Sequence, residues 1–370
     1  MAKVLGVVST PYHLLVFLFV KDAFLSGDEV DLIVTDKTPS MEELYKSGRL
    51  KPYFHQVSFA DGRKIKNPYK SAPVTFYESF VHNGTTDVII DAFLPRYDKM
   101  YFASPGTPDE IVKEIAKTLI KKNKRLTFHR YEDGFASYTK RPVHVINTPS
   151  GIAMYKALWH YDIYETEKEI LMFQPEMAEK NVDFEKIQIP QTPERIQKIT
   201  EMAKDIFRFE AKAPKQSIIF LGQGTENGSG NPETYQKLIL KLRDIAGEEN
   251  FIMKPHPRGI HDDFRGKLPV YEDSCPFELA IASGAMEDKT LISFYSTACV
   301  AGKLLFQSKC RISFSIPWQK IPLMKNAIMK TISAPFQNCA KMYMLPEPGK
   351  KWKHCYNAST SLYKQVYLSL

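Results

Sequence analysis

Four short runs in the chain combine residue types that can move protons or hold anions. In Lys254-Pro255-His256-Pro257-Arg258 a single histidine sits between two prolines and two cations. The proline rings fix the backbone torsion on either side, so the imidazole is presented from a stiff loop. An imidazole titrates near neutral pH and can donate a proton to an anion beside it. The plainer reading is a structured loop with a solvent histidine. In Tyr131-Glu132-Asp133-Gly134 two carboxylates precede a glycine turn. Adjacent carboxylates raise the pKa of one member, which suits a general base, although a surface turn has the same composition. In Ser274-Cys275-Pro276-Phe277-Glu278 a short helix begins, and Glu278 either caps its first turn or holds the two hydroxyls of a ribose. Ser296-Thr297 precedes an apolar helical run, where two hydroxyls make either an N-cap or a phosphate site.

Each run falls where one element ends and the next begins. Lys3 to Val8 reads as a buried strand, Ser9-Thr10-Pro11 breaks it, and Tyr12 to Leu25 reads as a helix. Strands follow at Glu29 to Thr35, Asp87 to Phe93 and Lys99 to Ala103, with a helix opening at Ser40. A turn at Ser104 to Asp109 opens a helix to Lys122, and the strand Arg125 to His129 delivers the acidic pair. The pattern weakens between about 135 and 215, where a charged helix from Glu194 to Phe209 ends in a linker. It restarts with a strand at Ser217 to Leu221, a glycine-rich loop to Gly230, a helix from Pro232 to Ala246 and a strand at Asn250 to Met253. Further strands are expected at Leu268 to Tyr271, Thr290 to Phe294 and Cys310 to Phe314, with a helix at Ala298 to Phe306. Strands separated by helices of this length imply parallel sheets with crossover connections. The expected class is α/β, as two Rossmann-like domains facing a central cleft. Ligands bind outside the carboxyl ends of such strands. The expected boundaries are 1–212, 213–345 and a terminal segment 346–370 packing back on the first domain.

Composition narrows the function classes. The chain has 370 residues, 44% hydrophobic and 25% charged, which excludes a disordered chain, a collagen and a coiled coil. A net charge of +8 favours anionic ligands but is too small and too dispersed to mark a nucleic-acid binder. Five cysteines with no Cys-x-x-Cys argue against a disulfide framework or a zinc knuckle, and for a reducing compartment. The apolar run Leu14 to Val20 is far shorter than the roughly 20 residues of a spanning helix. No signal peptide or transmembrane helix is read, so the expected location is cytoplasmic. The basic and aromatic residues from Lys350 to Tyr367 leave open a peripheral contact with the inner face of an anionic membrane. The alternative for this segment is plain packing. Lys121, Lys122, Lys124 and Arg125 read as a solvated helix end.

Taken in order, the acid-acid-glycine run, Lys-x-His-Pro-Arg, Pro-Phe-Glu and Ser-Thr resemble the shared motifs of bacterial sialyltransferases. The opening Thr10-Pro11-Tyr12-His13-Leu14-Leu15 and the form of the 254–258 run look most like glycosyltransferase family 52, which includes the lipooligosaccharide sialyltransferases. The resemblance implies a GT-B architecture and an inverting, metal-independent transfer from CMP-sialic acid to a galactose-terminated glycan. The chain has no Asp-x-Asp, which agrees with that metal independence. It implies that His256 assists departure of the CMP phosphate, Glu278 binds the ribose, and Ser296 with Thr297 holds the phosphate. Gly222, Gln223, Gly224, Lys254, Pro255, Pro257 and Arg258 would border the nucleotide. Asp133 is the first choice of general base, and Glu233 competes with it. Tyr12 and His13 either touch the acceptor or cap and pack the first helix. No cofactor and no nucleic-acid partner is implied, and a homodimer is left open. Two other readings stand beside this one: a GT-B hexosyltransferase with another nucleotide-sugar donor, and a non-catalytic glycan-binding module on the same fold.

Overall fold

The computed structural model describes residues 1–64, 90, 94–103, 110–138, 169–178, 185–210, 212–222, 232–256, 264, 266–272, 275–293, 298–307, 311–316 and 340–344. The chain divides into two compact units, Met1–Phe209 and Glu210–Leu370.

The first unit is built on seven parallel strands. They are β1 (Lys3–Val8), β2 (Glu29–Thr35), β3 (Val57–Ala60), β4 (Lys99–Ala103), β5 (Thr127–Tyr131), β6 (Glu169–Met172) and β7 (Glu185–Gln188). Their spatial order is β3-β2-β1-β4-β5-β6-β7. The chain moves outward from β1 to β3, then returns to the other side of β1 and continues from β4 to β7. Strand order therefore reverses between β1 and β4, and the carboxyl ends of those strands frame the crevice where such sheets take ligands.

The helix α1 (Pro11–Phe24) follows β1. Thr10 caps it by accepting from the His13 amide at 3.1 Å, and Pro11 occupies its first turn. The apolar run that is too short to span a membrane is here a helix buried from His13 to Val20. Its outer side is covered by α4 (Pro193–Phe207), after α2 (Pro39–Lys46) and α3 (Glu110–Lys122) in chain order. Asp22 on α1 takes Arg195 at 2.7 Å and Lys198 at 2.5 Å from α4. The charged helix before the linker is thus part of the first unit's packing. The other sheet face is filled by Leu5, Val7, Ile33, Phe102 and Phe128 against Ile115 and Leu119 of α3.

The approach of α1 to the sheet depends on one glycine. A β-carbon placed on Gly6 would lie 2.1 Å from the Phe17 ring, and Phe17 is fully buried against Tyr101, Tyr131 and Phe54. Gly6→Ala is expected to destabilise the fold by about 1–3 kcal/mol through overpacking. A shift of the urea midpoint with unchanged slope would report it; an unshifted midpoint would show that Phe17 can move aside.

The second unit holds five parallel strands in the order β12-β11-β10-β8-β9. They are β8 (Ile218–Leu221), β9 (Phe251–Lys254), β10 (Thr290–Ser293), β11 (Arg311–Ile316) and β12 (Ala340–Met344). The helices are α5 (Pro232–Ala246), α6 (Phe277–Ala282) and α7 (Ala298–Phe306). Phe220, Ile239, Leu242, Phe251, Met253 and Ile292 form its core. Here the order reverses between β8 and β10. Gly302 lets α7 lie against Ile281 of α6; a β-carbon there would meet that side chain at 2.5 Å.

Three expectations change. Leu268 to Tyr271 is not a strand: its backbone meets Met253 in a single parallel bridge at Val270, closed by bonds from Met253 to Pro269 and from Tyr271 to Met253. Strands β3, β6, β7 and β12 lie where no strand was expected. The helix expected to open at Ser40 begins one residue earlier, at Pro39, which suits the first helical position. Of the strand expected at Asp87 to Phe93, only Ile90 is described, in an antiparallel bridge with Ala60. The terminal segment 346–370 lies outside the described residues.

Candidate functional site

At the carboxyl edge of the first sheet, two neighbouring residues of α1 meet two neighbouring residues beyond β5. The hydroxyl of Tyr12 donates to Glu132 Oε1 at 2.6 Å. The His13 ring places Nε2 2.5 Å from Asp133 Oδ1. The other ring nitrogen, Nδ1, accepts the Ser9 amide at 3.4 Å. An accepting Nδ1 carries no proton, so the proton resides on Nε2 and His13 donates to Asp133. His13 is buried in α1, edge-on to Tyr131, whose hydroxyl donates to Val7 O of β1 at 2.8 Å.

The two acids differ sharply. Glu132 is wholly buried. It accepts from Tyr12, from the Tyr138 hydroxyl and from the Phe173 amide at 3.0 Å. Asp133 keeps 28% of its side chain exposed. The short 3-10 turn Gly134–Tyr138 shapes this end: Gly134 has φ +67°, and Asp133 N–H donates to Ser137 Oγ at 2.8 Å. The sequence named the acidic pair but not Ser137, Tyr138 or Phe173. The only local signal was that Tyr138 follows the glycine turn within five residues.

Burial is the main cause that pushes the Glu132 carboxyl up to about 7 from 4.5, and the charge of Asp133 adds to it. The bonds from Tyr12, Tyr138 and Phe173 pull the other way. A carboxyl raised in the folded state binds its proton more tightly there than in the unfolded chain. Between about pH 4.5 and 7 the unfolded chain has released that proton and the folded chain has not, so stability falls as pH rises through this window. The contribution is on the order of 3 kcal/mol. Glu132→Gln is expected to flatten the pH dependence of the melting temperature across this window relative to wild type; parallel slopes would refute it.

In the second unit, residues from three strand ends meet. Gly222 N–H, after β8, donates to Lys254 O at the end of β9 at 2.9 Å. Ser293, the last residue of β10, donates from Oγ to Leu221 O at 3.1 Å. These positions surround the reversal between β8 and β10. Pro255 and His256 follow β9 and are half-buried. Glu278 is buried in the first turn of α6, after Pro276. Burial raises its carboxyl, opposed by its own amide and by the charge of Lys254, so Lys254 and Glu278 share one electrostatic environment. Glu233 falls in the first turn of α5. Gln223, Gly224, Pro257, Arg258, Ser296 and Thr297 lie outside the described residues.

The sequence-selected residues therefore form two groups: Tyr12, His13 and Asp133 in the first unit, and Gly222, Lys254 and Glu278 with the adjoining Pro255 and His256 in the second. Among the described residues, one set of three potential metal ligands lies within 4.8 Å, namely Glu29, Asp31 and His55. It belongs to the amino edge of the first sheet, opposite the acidic pair. Lys3 Nζ lies 2.5 Å from Glu29 and Tyr97 donates to Asp31 at 2.7 Å, so it is an ion-pair network. Among the described residues no helix is long and apolar enough to cross a membrane.

Comparison with known proteins gives this edge a context. The family model described as alpha-2,8-polysialyltransferase matches residues 5–313, most of the chain and both groups. No curated protein matches. Among solved structures, the glycotransferase of kitacinnamycin superposes with TM-score 0.51 at 10% identity, over 93% of this chain and 86% of that one. The alpha/beta-galactoside alpha-2,3-sialyltransferase of the luminous marine bacterium Photobacterium phosphoreum gives 0.49 at 14% identity, over 92% of this chain and 98% of that one. The calicheamicin glycosyltransferase CalG4 gives 0.49 at 12% identity, over 93% and 86%. With its two Rossmann-like units the fold is GT-B, as the resemblance implied, and the sialyltransferase kinship stands. The chain belongs to the alpha-2,8-polysialyltransferase family and is a glycosyltransferase.

Proposed function

We propose that the protein is an inverting sialyltransferase that moves sialic acid from CMP-sialic acid to a hydroxyl of a surface glycan without a metal ion. The family match carries this reading, because the family's described activity is sialyl transfer. In the proposed reaction the acceptor oxygen attacks the anomeric carbon and the bond from that carbon to the CMP phosphate oxygen breaks. Asp133 takes the acceptor proton. His256 gives a hydrogen bond or a proton to the departing phosphate. The partial exposure of Asp133, beside a Glu132 that is spent on internal donors, supports Asp133 as the member of the pair that meets substrate. His13 Nε2–H orients it. Lys254 and the Gly222 backbone border the nucleotide phosphate, joined in this reading by Ser296 and Thr297, and Glu278 binds the ribose hydroxyls.

The family description favours an acceptor that itself ends in sialic acid, extended through an alpha-2,8 bond. A galactose-terminated acceptor, such as a lipooligosaccharide, is the second reading, favoured by the motif forms at Thr10 to Leu15 and Lys254 to Arg258. The test is CMP release from CMP-sialic acid in EDTA, with lactose and a sialyl-terminated oligosaccharide as parallel acceptors. Product on the sialylated acceptor supports the first reading, and product on lactose alone the second. Turnover of a UDP-sugar with none of CMP-sialic acid would replace both by a hexosyltransferase. CMP is also expected to stabilise the protein, by about 2.7 kcal/mol at a hundredfold excess over its Kd. A thermal shift with UDP but not with CMP would contradict the donor.

A further inference from the structure

We propose that Glu132 is a positioning residue: its buried carboxylate, gripped by Tyr12 and Tyr138, holds Asp133 in register with His13. This rests on Asp133 being the base. The two links to α1 are in tandem, Tyr12 to Glu132 and His13 to Asp133, so one helix start holds both acids of one strand end. Successive residues at the end of an extended strand point to opposite sides. Here the first goes inward and is wholly buried, and the second outward to partial exposure. The inward acid is the anchor of the outward one.

The anchor is held from three elements: Tyr12 of α1, Tyr138 of the 3-10 turn and the Phe173 amide that follows β6. Every one of these partners donates, and an ionised carboxylate accepts them all. A proton on either oxygen sets a donor among these donors and makes that oxygen a poorer acceptor, so the grip of the links weakens. Protonation of Glu132 therefore loosens the turn that carries Asp133. Among the described residues the titratable groups facing this carboxyl are Tyr12 from α1, Tyr138 from the turn, and Asp133 with its partner His13; the residue after β6 adds a main-chain amide. The titration of Glu132 at about 7 puts the loosening in the neutral range.

The test is kcat and KM for CMP-sialic acid between about pH 5 and 9 in the full-length protein, for wild type, Glu132→Gln and Tyr138→Phe. Glutamine keeps the shape and carries a donor permanently, as the protonated acid does. It is expected to lower kcat by about tenfold or more, hold KM for the donor within about twofold, and erase the acid limb near neutral pH. Tyr138→Phe removes one bond that favours the ionised form and is expected to move that limb upward. Wild-type kcat and acid limb in Glu132→Gln would overturn the assignment, as would an unmoved limb in Tyr138→Phe. If Glu132→Gln does not fold, Tyr138→Phe decides. Absence of CMP-sialic acid turnover by wild type would defeat the functional reading itself; turnover with unmoved limbs would defeat only the role of Glu132.

Discussion

Asp133→Asn is expected to lower sialyl transfer by about 10²–10⁴-fold, the usual worth of a positioned general base. The substitution is isosteric. The amide oxygen can still accept from His13 Nε2–H, which lies 2.5 Å from Asp133 Oδ1 in the native chain. The Asp133 amide can still donate to Ser137 Oγ. The fold should therefore stay in place, and CMP should raise the melting temperature as in wild type, because the nucleotide is assigned to residues of the second unit. What disappears is the ability to take the acceptor proton. The loss should fall on kcat, with KM for CMP-sialic acid little changed. Glu233→Gln provides the comparison: if it abolishes transfer while Asp133→Asn spares it, the base is in the second unit. A His13→Ala variant that keeps full activity would remove the orienting bond from the account while leaving Asp133 as the base.

His256→Ala is expected to cost a similar factor, about 10²–10⁴-fold, for loss of assistance to the leaving phosphate. His256 lies two residues beyond the end of β9, half-buried, close to the strand end that bonds Gly222. Lys254 and Glu278 remain in the variant, so CMP should still bind and still stabilise. Intact CMP binding with collapsed turnover is the signature of a group that acts as the bond breaks. Unchanged turnover would remove the histidine from the chemistry, and loss of CMP binding would make it a binding residue.

The elements that position these side chains were legible to different degrees, for physical reasons. Strand β1 reads Val-Leu-Gly-Val-Val and β8 reads Ile-Ile-Phe-Leu, continuous apolar runs that a sheet covered on both faces demands. Helix α7 appears at Ala298–Phe306, where its apolar run lies. By contrast β7, Glu-Lys-Ile-Gln, closes one edge of the first sheet, and no residue of it is fully buried, so no hydrophobic pattern marks it. Strand β6 is largely buried but falls in the stretch from about 135 to 215, where no regular alternation of strands and helices flanks it to mark it as a strand. Leu268 to Tyr271 shows the opposite error. Leu268 and Tyr271 are apolar because they are buried against the second unit's core, not because they join its ladder.

The candidate site divides along the same line. Local sequence was enough to single out the candidate groups: a proline-framed histidine, a pair of acids before a glycine, and their place just beyond strands. Those features depend on residues next to one another in the chain. Which acid reaches solvent does not. Glu132 and Asp133 are neighbours with the same functional group, and their inequality arises from partners contributed by α1, the 3-10 turn and the chain after β6. Tyr12 and His13 stand 120 residues away from the acids they bind. Only the closure of the parallel sheet, with β4 between β1 and β5, brings those donors to the same edge. Burial and hydrogen bonding then enclose one carboxyl and leave the other partly exposed, because a charge is tolerated in the interior only where donors surround it.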